Sequence, residues 1–288
     1  MSMRNLLKSG LRRLSQPSKR SLRARGTKQA VVIAVAAQKG GVGKTTTAVS
    51  LAAALARFHG QRVLLVDLDP QGHVSRALGE QIRLGGGALS DVLVGEDGLE
   101  VLDVVTATHV RKLDVTPFDP GLGSTENVMG ARIGKEFLLR DALEVTRTFY
   151  DVIVIDCPPN LGNLTLSGLV AADTVLIPCD PSPLAVSGVH RIIEAITQAS
   201  RLNPDIDVLG VLLTRVDGRN TTLNKAIVAE LDHDYGEAVL PVHIGINSQL
   251  AKAQHAGVDI FAYAAESRGA QHYRALAEHV LSVLRSEG

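Results

Sequence analysis

Tryptophan is absent, tyrosine and phenylalanine number only four and five, and cysteine occurs twice in 288 residues. So few rings leave almost no platform on which single-stranded nucleic acid could stack its bases. Two cysteines cannot staple a small secreted scaffold. Cys157 and Cys179 each lie inside an apolar segment, as core residues of a protein in a reducing cytosol do. No apolar run approaches the roughly 18 to 20 residues of a membrane span. The nine histidines show no H-x-x-H or comparable spacing, so surface or helix-end positions are expected for them rather than a metal site.

Net charge is also missing, but only from the total. Lys and Arg number 30, as do Asp and Glu. Residues 1–28 hold nine of the bases and none of the acids, so 29–288 carry 21 bases against 30 acids: an arm of +9 on a body of −9. Composition changes at the same place, from Ser, Arg and Lys to an apolar run beginning at Ala30. A boundary is therefore expected near residue 28, between a basic arm (1–28) and one domain (29–288). Several readings of the arm stay open. Leu6, Leu7, Leu11 and Leu14 fall within an arc of about 140° of a helix, so residues 3–15 could form a short basic helix on a membrane or a partner. An organelle transit peptide fits the Ser- and Arg-rich, acid-free character. An arm holding phosphates through Arg12, Arg13 and their neighbours fits the charge, and a segment with no dedicated role stays open beside these.

Past the arm, short β-branched runs alternate with helix-length segments. Ala30–Ala37, Arg62–Val66, Val152–Ile155, Thr174–Ile177 and Val208–Leu213 read as buried strands. Thr45–His59, Leu161–Ala171, Ser187–Arg201, Thr221–Asp232 and Ala270–Leu284 read as helices. Strand runs without alternation, separated by helices, indicate an α/β fold in three layers, a mostly parallel sheet covered by helices on both faces. The Gly- and Asp-rich region 80–130 suggests two more strands, at Val101–Val105 and Lys112–Thr116.

The first strand runs into Gln38-Lys39-Gly40-Gly41-Val42-Gly43-Lys44-Thr45-Thr46 and then a helix. Such a loop points backbone N–H groups and a helix N-terminus at an anion, with Lys44 placed for the β- and γ-phosphates and Thr45 for Mg²⁺. This is a P-loop with one departure: Gln38 stands where the pattern G-x-x-x-x-G-K-[ST] has glycine. Lys39 adds a second lysine at its mouth. Asp67 and Asp69 follow the second strand's carboxyl end, where ligands of open α/β sheets bind. Asp69 is placed to orient or deprotonate a water, and Asp67 to support a metal's water shell. Asp156, ending a third apolar strand, is the natural metal partner.

These words resemble the ParA/MinD family of deviant Walker ATPases, and within it the ParA/Soj type. The matches are Lys39 to Thr47, Asp67-Leu68-Asp69-Pro70-Gln71-Gly72, and Asp156-Cys157-Pro158-Pro159 with Leu161-Gly162. Weaker ones are Leu166 to Asp173, Asp217-Gly218-Arg219 and Gly269-Ala270 to Tyr273-Arg274. The resemblance implies a cytoplasmic, nucleoid-associated ATPase using ATP and Mg²⁺. It implies a homodimer closed by ATP, in which Lys39 reaches the partner's phosphates while Gly40 lies near the partner's loop. Nonspecific binding of double-stranded DNA, and hydrolysis stimulated by a ParB-like partner so as to segregate a plasmid, chromosome region or other cargo, are implied with it. Adenine contacts are expected from Thr214, Arg215 and the segment around Pro241, and DNA contacts from Arg219 and Lys225. Two alternatives are a MinD-like membrane switch using residues 3–15, since Ser282 to Gly288 are short and polar for a C-terminal anchor, and a metabolic P-loop enzyme. Some relatives hold an iron–sulfur cluster at the dimer axis, but Cys157 and Cys179 read as ordinary core residues.

Overall fold

A computed structural model describes residues 29–82, 87–95, 99–182, 184–219 and 221–286. The arm, with Arg12, Arg13 and residues 3–15, lies outside the described residues. In chain order the strands are β1 (Val31–Val35), β2 (Val63–Asp67), β3 (Thr106–Ala107), β4 (Leu113–Val115), β5 (Val152–Asp156), β6 (Thr174–Cys179), β7 (Asp207–Val216) and β8 (Val239–Gly245). The helices are α1 (Lys44–His59), α2 (His73–Leu78), α3 (Leu89–Val94), α4 (Val101–Val104), α5 (Leu122–Gly130) and α6 (Leu138–Ala142). They continue as α7 (Asn163–Ala171), α8 (Ala185–Ala199), α9 (Thr221–Tyr235), α10 (Ser248–His255), α11 (Ile260–Tyr263) and α12 (Arg268–Ser286).

The strands form one eight-stranded sheet, in the order β3-β4-β2-β5-β1-β6-β7-β8. Every pairing is parallel except β3 with β4. Because successive side chains of a strand point to opposite faces, β1 feeds two cores. Val32 and Ala34 pack with Ile153, Ile155, Val175 and the apolar faces of α7 and α8. Ile33 and Val35 pack with Val154, Leu176, α1 and α12. Each large side chain buried this way contributes roughly 1.5–3 kcal/mol, so the continuous apolar runs of the sequence are what the two covered faces require. Helix α7 comes close to the sheet at Gly168, where an added Cβ would stand 3.1 Å from both Cys157 Sγ and Leu68 Cδ1.

Two polar contacts tie these layers together. Asp173 Oδ2 accepts from the Val32 amide at 2.8 Å and from Arg147 at 2.6 Å, fixing the start of β1. The hydroxyls of Thr47 and Tyr273, both buried, meet at 3.2 Å between α1 and α12.

One expected strand is a helix. Val101–Val104 forms α4, because Glu100 and Asp103 build a reciprocal capping box around its first turn. The β-branched run had suggested a strand, and the local caps override it. Lys112–Thr116 does contain strand β4, and it pairs with β2.

Candidate active site

The chain first builds outward from β1 to β2, β4 and β3, then returns to build β6, β7 and β8 on the other side. The phosphate loop follows β1, at the point where the direction of building reverses, which is where open α/β sheets bind ligands. Gly41 and Gly43 have φ of 77° and 87°, a left-handed conformation that glycine takes without steric cost. Gly43 precedes α1, and no side chain caps that helix. Its first N–H groups are therefore left for an anion. Gly40 is exposed with open space around it, whereas Val42 is buried.

The loop is braced from β7. Thr214 Oγ1 donates to the Val42 carbonyl at 2.7 Å, and Arg215 donates to the Gly41 carbonyl at 3.0 Å from left-handed backbone. Thr214 is buried beneath the loop, with its hydroxyl held there. Pro241 is exposed in the interior of β8, on the edge strand, away from that strand's carboxyl end at Gly245. The segment leaving the carboxyl end of β8 begins at Ile246. Thr46 accepts from Gln254 of α10 at 3.0 Å.

Lys44 is 7% exposed and donates to the Lys39 carbonyl at 3.0 Å. Burial pulls its pKa down, while the charges of Asp156 and Asp69 oppose the fall. Thr45 Oγ1 donates to Asp156 Oδ2 at 2.7 Å. Burial pushes Asp156 up to about 7, against the pull of the Thr45 hydrogen bond. Asp67 is driven well above the usual carboxylate range, first by burial and then by the charge of Asp156. Its two oxygens accept the amides of Asp69 at 3.0 Å and Val74 at 3.3 Å, so it also shapes the turn that presents Asp69. Asp69 accepts the Gln71 amide at 2.9 Å and lies 3.1 Å from His73 Nδ1, one helical turn away.

Two buried carboxylates, Asp156 and Asp69, therefore act on one buried lysine, with Asp67 beside Asp156, and among the described residues Asp156 Oδ1 is buried with no hydrogen-bond partner. An oxygen-seeking cation fits that orphaned atom beside the Thr45 hydroxyl. Among the described residues no group of three or more His, Cys, Asp or Glu could hold a metal unaided. Mg²⁺ suits such a place, since it takes one or two protein ligands and completes its shell with phosphate oxygens and water.

The second lysine is turned onto its own chain. Lys39 Nζ donates to Asp180 at 2.9 and 3.1 Å and to Ser182 Oγ at 3.1 Å. Sequence reasoning passed over Asp180, although the signal was present: it follows an apolar strand as Asp156 does. Gln38, the loop's departure from the pattern, accepts from Arg191 of α8 at 3.3 Å.

Of the basic candidates, Arg219 is engaged by Asp217 through two contacts of 3.0 Å, and Lys225 is exposed on α9. Neither cysteine is a reactive thiol: burial raises both, Cys179 to about 12.

A family model described as an AAA domain matches residues 30–208. The chain is 40% identical over 250 residues to the sporulation initiation inhibitor protein Soj of Bacillus subtilis (strain 168), covering 86% of this chain and 97% of that protein. It is 38% identical over 254 residues to the chromosome partitioning protein ParA of Caulobacter vibrioides, covering 87% and 94%. The structure of cobyrinic acid a,c-diamide synthase from Mycobacterium smegmatis with bound ADP and magnesium matches with a TM-score of 0.76 at 35% identity, over 90% of this chain and 97% of that one. Likeness of this degree over nearly the whole of Soj and ParA, joined to a loop that carries both lysines, places the chain in the ParA/Soj family of P-loop ATPases.

Proposed function

We propose that this ATPase closes into a homodimer on binding ATP, holds double-stranded DNA without sequence preference, and opens again on hydrolysis stimulated by a ParB-like partner. Cycling of this kind segregates a plasmid, a chromosome region or another cargo, in the cytoplasm and on the nucleoid. The observation that carries the reading is the pair of lysines in one loop: Lys44 buried among carboxylates, and Lys39 at the mouth with its side chain 40% exposed.

The cofactors are ATP and Mg²⁺. The loop amides from Gly40 to Lys44 and the N-terminus of α1 receive the phosphates, and Lys44 neutralises them at short range. Thr45 and Asp156 would hold the metal, with Asp67 behind its water shell; Mg²⁺ would supply neutralisation of the triphosphate's charge there. Asp69, oriented by the Gln71 amide and His73, positions the attacking water and accepts its proton. Lys39 leaves Asp180 and Ser182 to reach the partner's triphosphate. Two facing triphosphates repel unless added lysines offset them, so dimerisation reads out the nucleotide.

Gel filtration tests this directly. An Asp69→Ala variant is expected to stay dimeric with Mg-ATP, and adding Lys39→Ala should return it to monomer. A monomer under every condition sinks the sandwich mechanism.

The likeness to the cobyrinic acid a,c-diamide synthase of Mycobacterium smegmatis favours a second reading, a metabolic P-loop enzyme. ATP turnover that rises with DNA and a partner peptide supports partition. Turnover that rises only with a small metabolite supports the second reading.

A further inference from the structure

A cationic recess lies at the opposite end of the strands from the phosphate loop. Gly60 precedes β2, and Arg111 and Lys112 immediately precede β4; Val63 and Leu113 are register partners in those two parallel strands. These segments therefore share the amino ends of the strands, whereas the phosphate loop follows the carboxyl end of β1. With α11 and α12 they enclose a cleft of ≈ 480 Å³, lined by Arg57, Arg111, Lys112 and Arg274 beside the rings of Phe58 and Phe261. Among the described residues no carboxylate lines it, although the body carries 30 acids against 21 bases.

Among the described residues only one of the four charges has a carboxylate partner. Arg57 lies 2.6 Å from Asp259, whose other oxygen caps α11. Lys112 donates to the Gly60 carbonyl at 2.6 Å, an acceptor without formal charge; it holds a φ of 68°, which residues other than glycine rarely adopt. The Arg274 guanidinium sits 4.0 Å over the Phe58 ring, and its Nε is buried with no hydrogen-bond partner. Arg111 is exposed, and among the described residues it has no ion-pair or hydrogen-bond partner.

We propose that this cleft binds a small phosphorylated molecule. Its phosphate is held by Arg111, Lys112 and the Arg274 guanidinium, and its organic body lies against Phe58 and Phe261. Fork-shaped guanidiniums suit phosphate oxygens. The volume falls in the range of small-molecule sites, about 300–1,000 Å³. The rings of Phe58 and Phe261 stand beside these cations, and an apolar ring surface suits the organic body of a small ligand, not the sugar-phosphate edge of a DNA duplex. The site stands on its own geometry and does not depend on the proposed DNA and dimer cycle.

Equilibrium dialysis of the full-length chain against ³²P-pyrophosphate, at about 0.15 M salt with Mg-ADP saturating the phosphate loop, tests the proposal. One saturable equivalent per chain is expected. Arg111→Glu, on an exposed side chain, should weaken it about tenfold or more, Arg111→Lys should keep most of it, and Lys44→Ala should leave it unchanged. ATP turnover of Arg111→Glu without pyrophosphate should match the parent, which checks the fold. Arg274→Gln should act like Arg111→Glu; if it unfolds, Arg111→Glu decides. Absence of saturable binding overturns the proposal, as does binding indifferent to Arg111→Glu but lost in Lys44→Ala. A short DNA duplex that displaces pyrophosphate, and itself loses affinity in Arg111→Glu, also overturns it by making the cleft a nucleic-acid surface.

Discussion

Lys39 and Lys44 share one loop and meet opposite environments. Lys44 is sunk where burial lowers its pKa, against the opposing charges of Asp156 and Asp69. Lys39 stands at the mouth in an ion pair with Asp180 that water reaches from both sides. A partly exposed pair of this kind is worth about 0.2–1 kcal/mol, enough to hold a side chain and little enough to surrender it to a triphosphate. Asp180→Asn keeps an acceptor but removes the charge. We expect the ATP concentration at half-maximal dimer, read by light scattering, to fall by up to about fivefold. A weaker dimer in this variant would mean that Asp180 serves the closed state instead. The glycines and lysines were legible in the sequence because their spacing is fixed by covalent geometry around one phosphate, and Asp156 because it ends an apolar strand. The hold of Asp180 and Ser182 on Lys39, and the bracing of the loop by Thr214, were not, because these residues arrive from the end of β6 and from β7, more than a hundred residues away in sequence and adjacent only in the folded sheet.

At the scale of elements, the edge strand β8 depends on its neighbouring helix. The Gly245 amide donates to His272 Nδ1 at 3.1 Å, so α12 holds the end of the strand with a neutral imidazole. Burial lowers the His272 pKa, and His243 and Arg268 lower it further. The unfolded chain therefore takes up a proton before the folded one does. The contribution of this group to stability is present above about pH 6.5 and is lost as the pH falls below it. His272→Gln retains an acceptor and does not titrate. Its melting temperature should drop less than the parent's between about pH 7.5 and 5.5; equal drops would show that the group is not coupled to folding. Periodicity identified the long helices and buried strands because each has one dominant environment. It failed at Val101–Val104, where two side chains capping one turn outweigh the β-branched residues. It also failed to mark β8, whose burial is interrupted because its outer edge is unpaired.

Across the whole molecule, zero net charge conceals a −9 body and a +9 arm. Asp67, Asp69 and Asp156 account for some of the body's acid, gathered where a metal and a triphosphate are to be held. Arg219 is already paired with Asp217, so the body offers DNA less free charge than its arginine content suggests. Deleting residues 1–28 is therefore expected to flatten the dependence of DNA affinity on salt, measured as the slope of log K against log salt. An unchanged slope would remove the arm from the DNA contact. The sequence by itself determined the layered α/β class, the phosphate loop and the identity of its principal lysine and carboxylates, because strand burial and phosphate geometry act over a few consecutive residues. Only the tertiary structure decided that Lys39 is held back by Asp180, that Thr214 and Arg215 brace the loop, and that four cations from distant segments meet in one cleft. Each of those depends on which strands become neighbours, a choice made by the packing of the whole sheet.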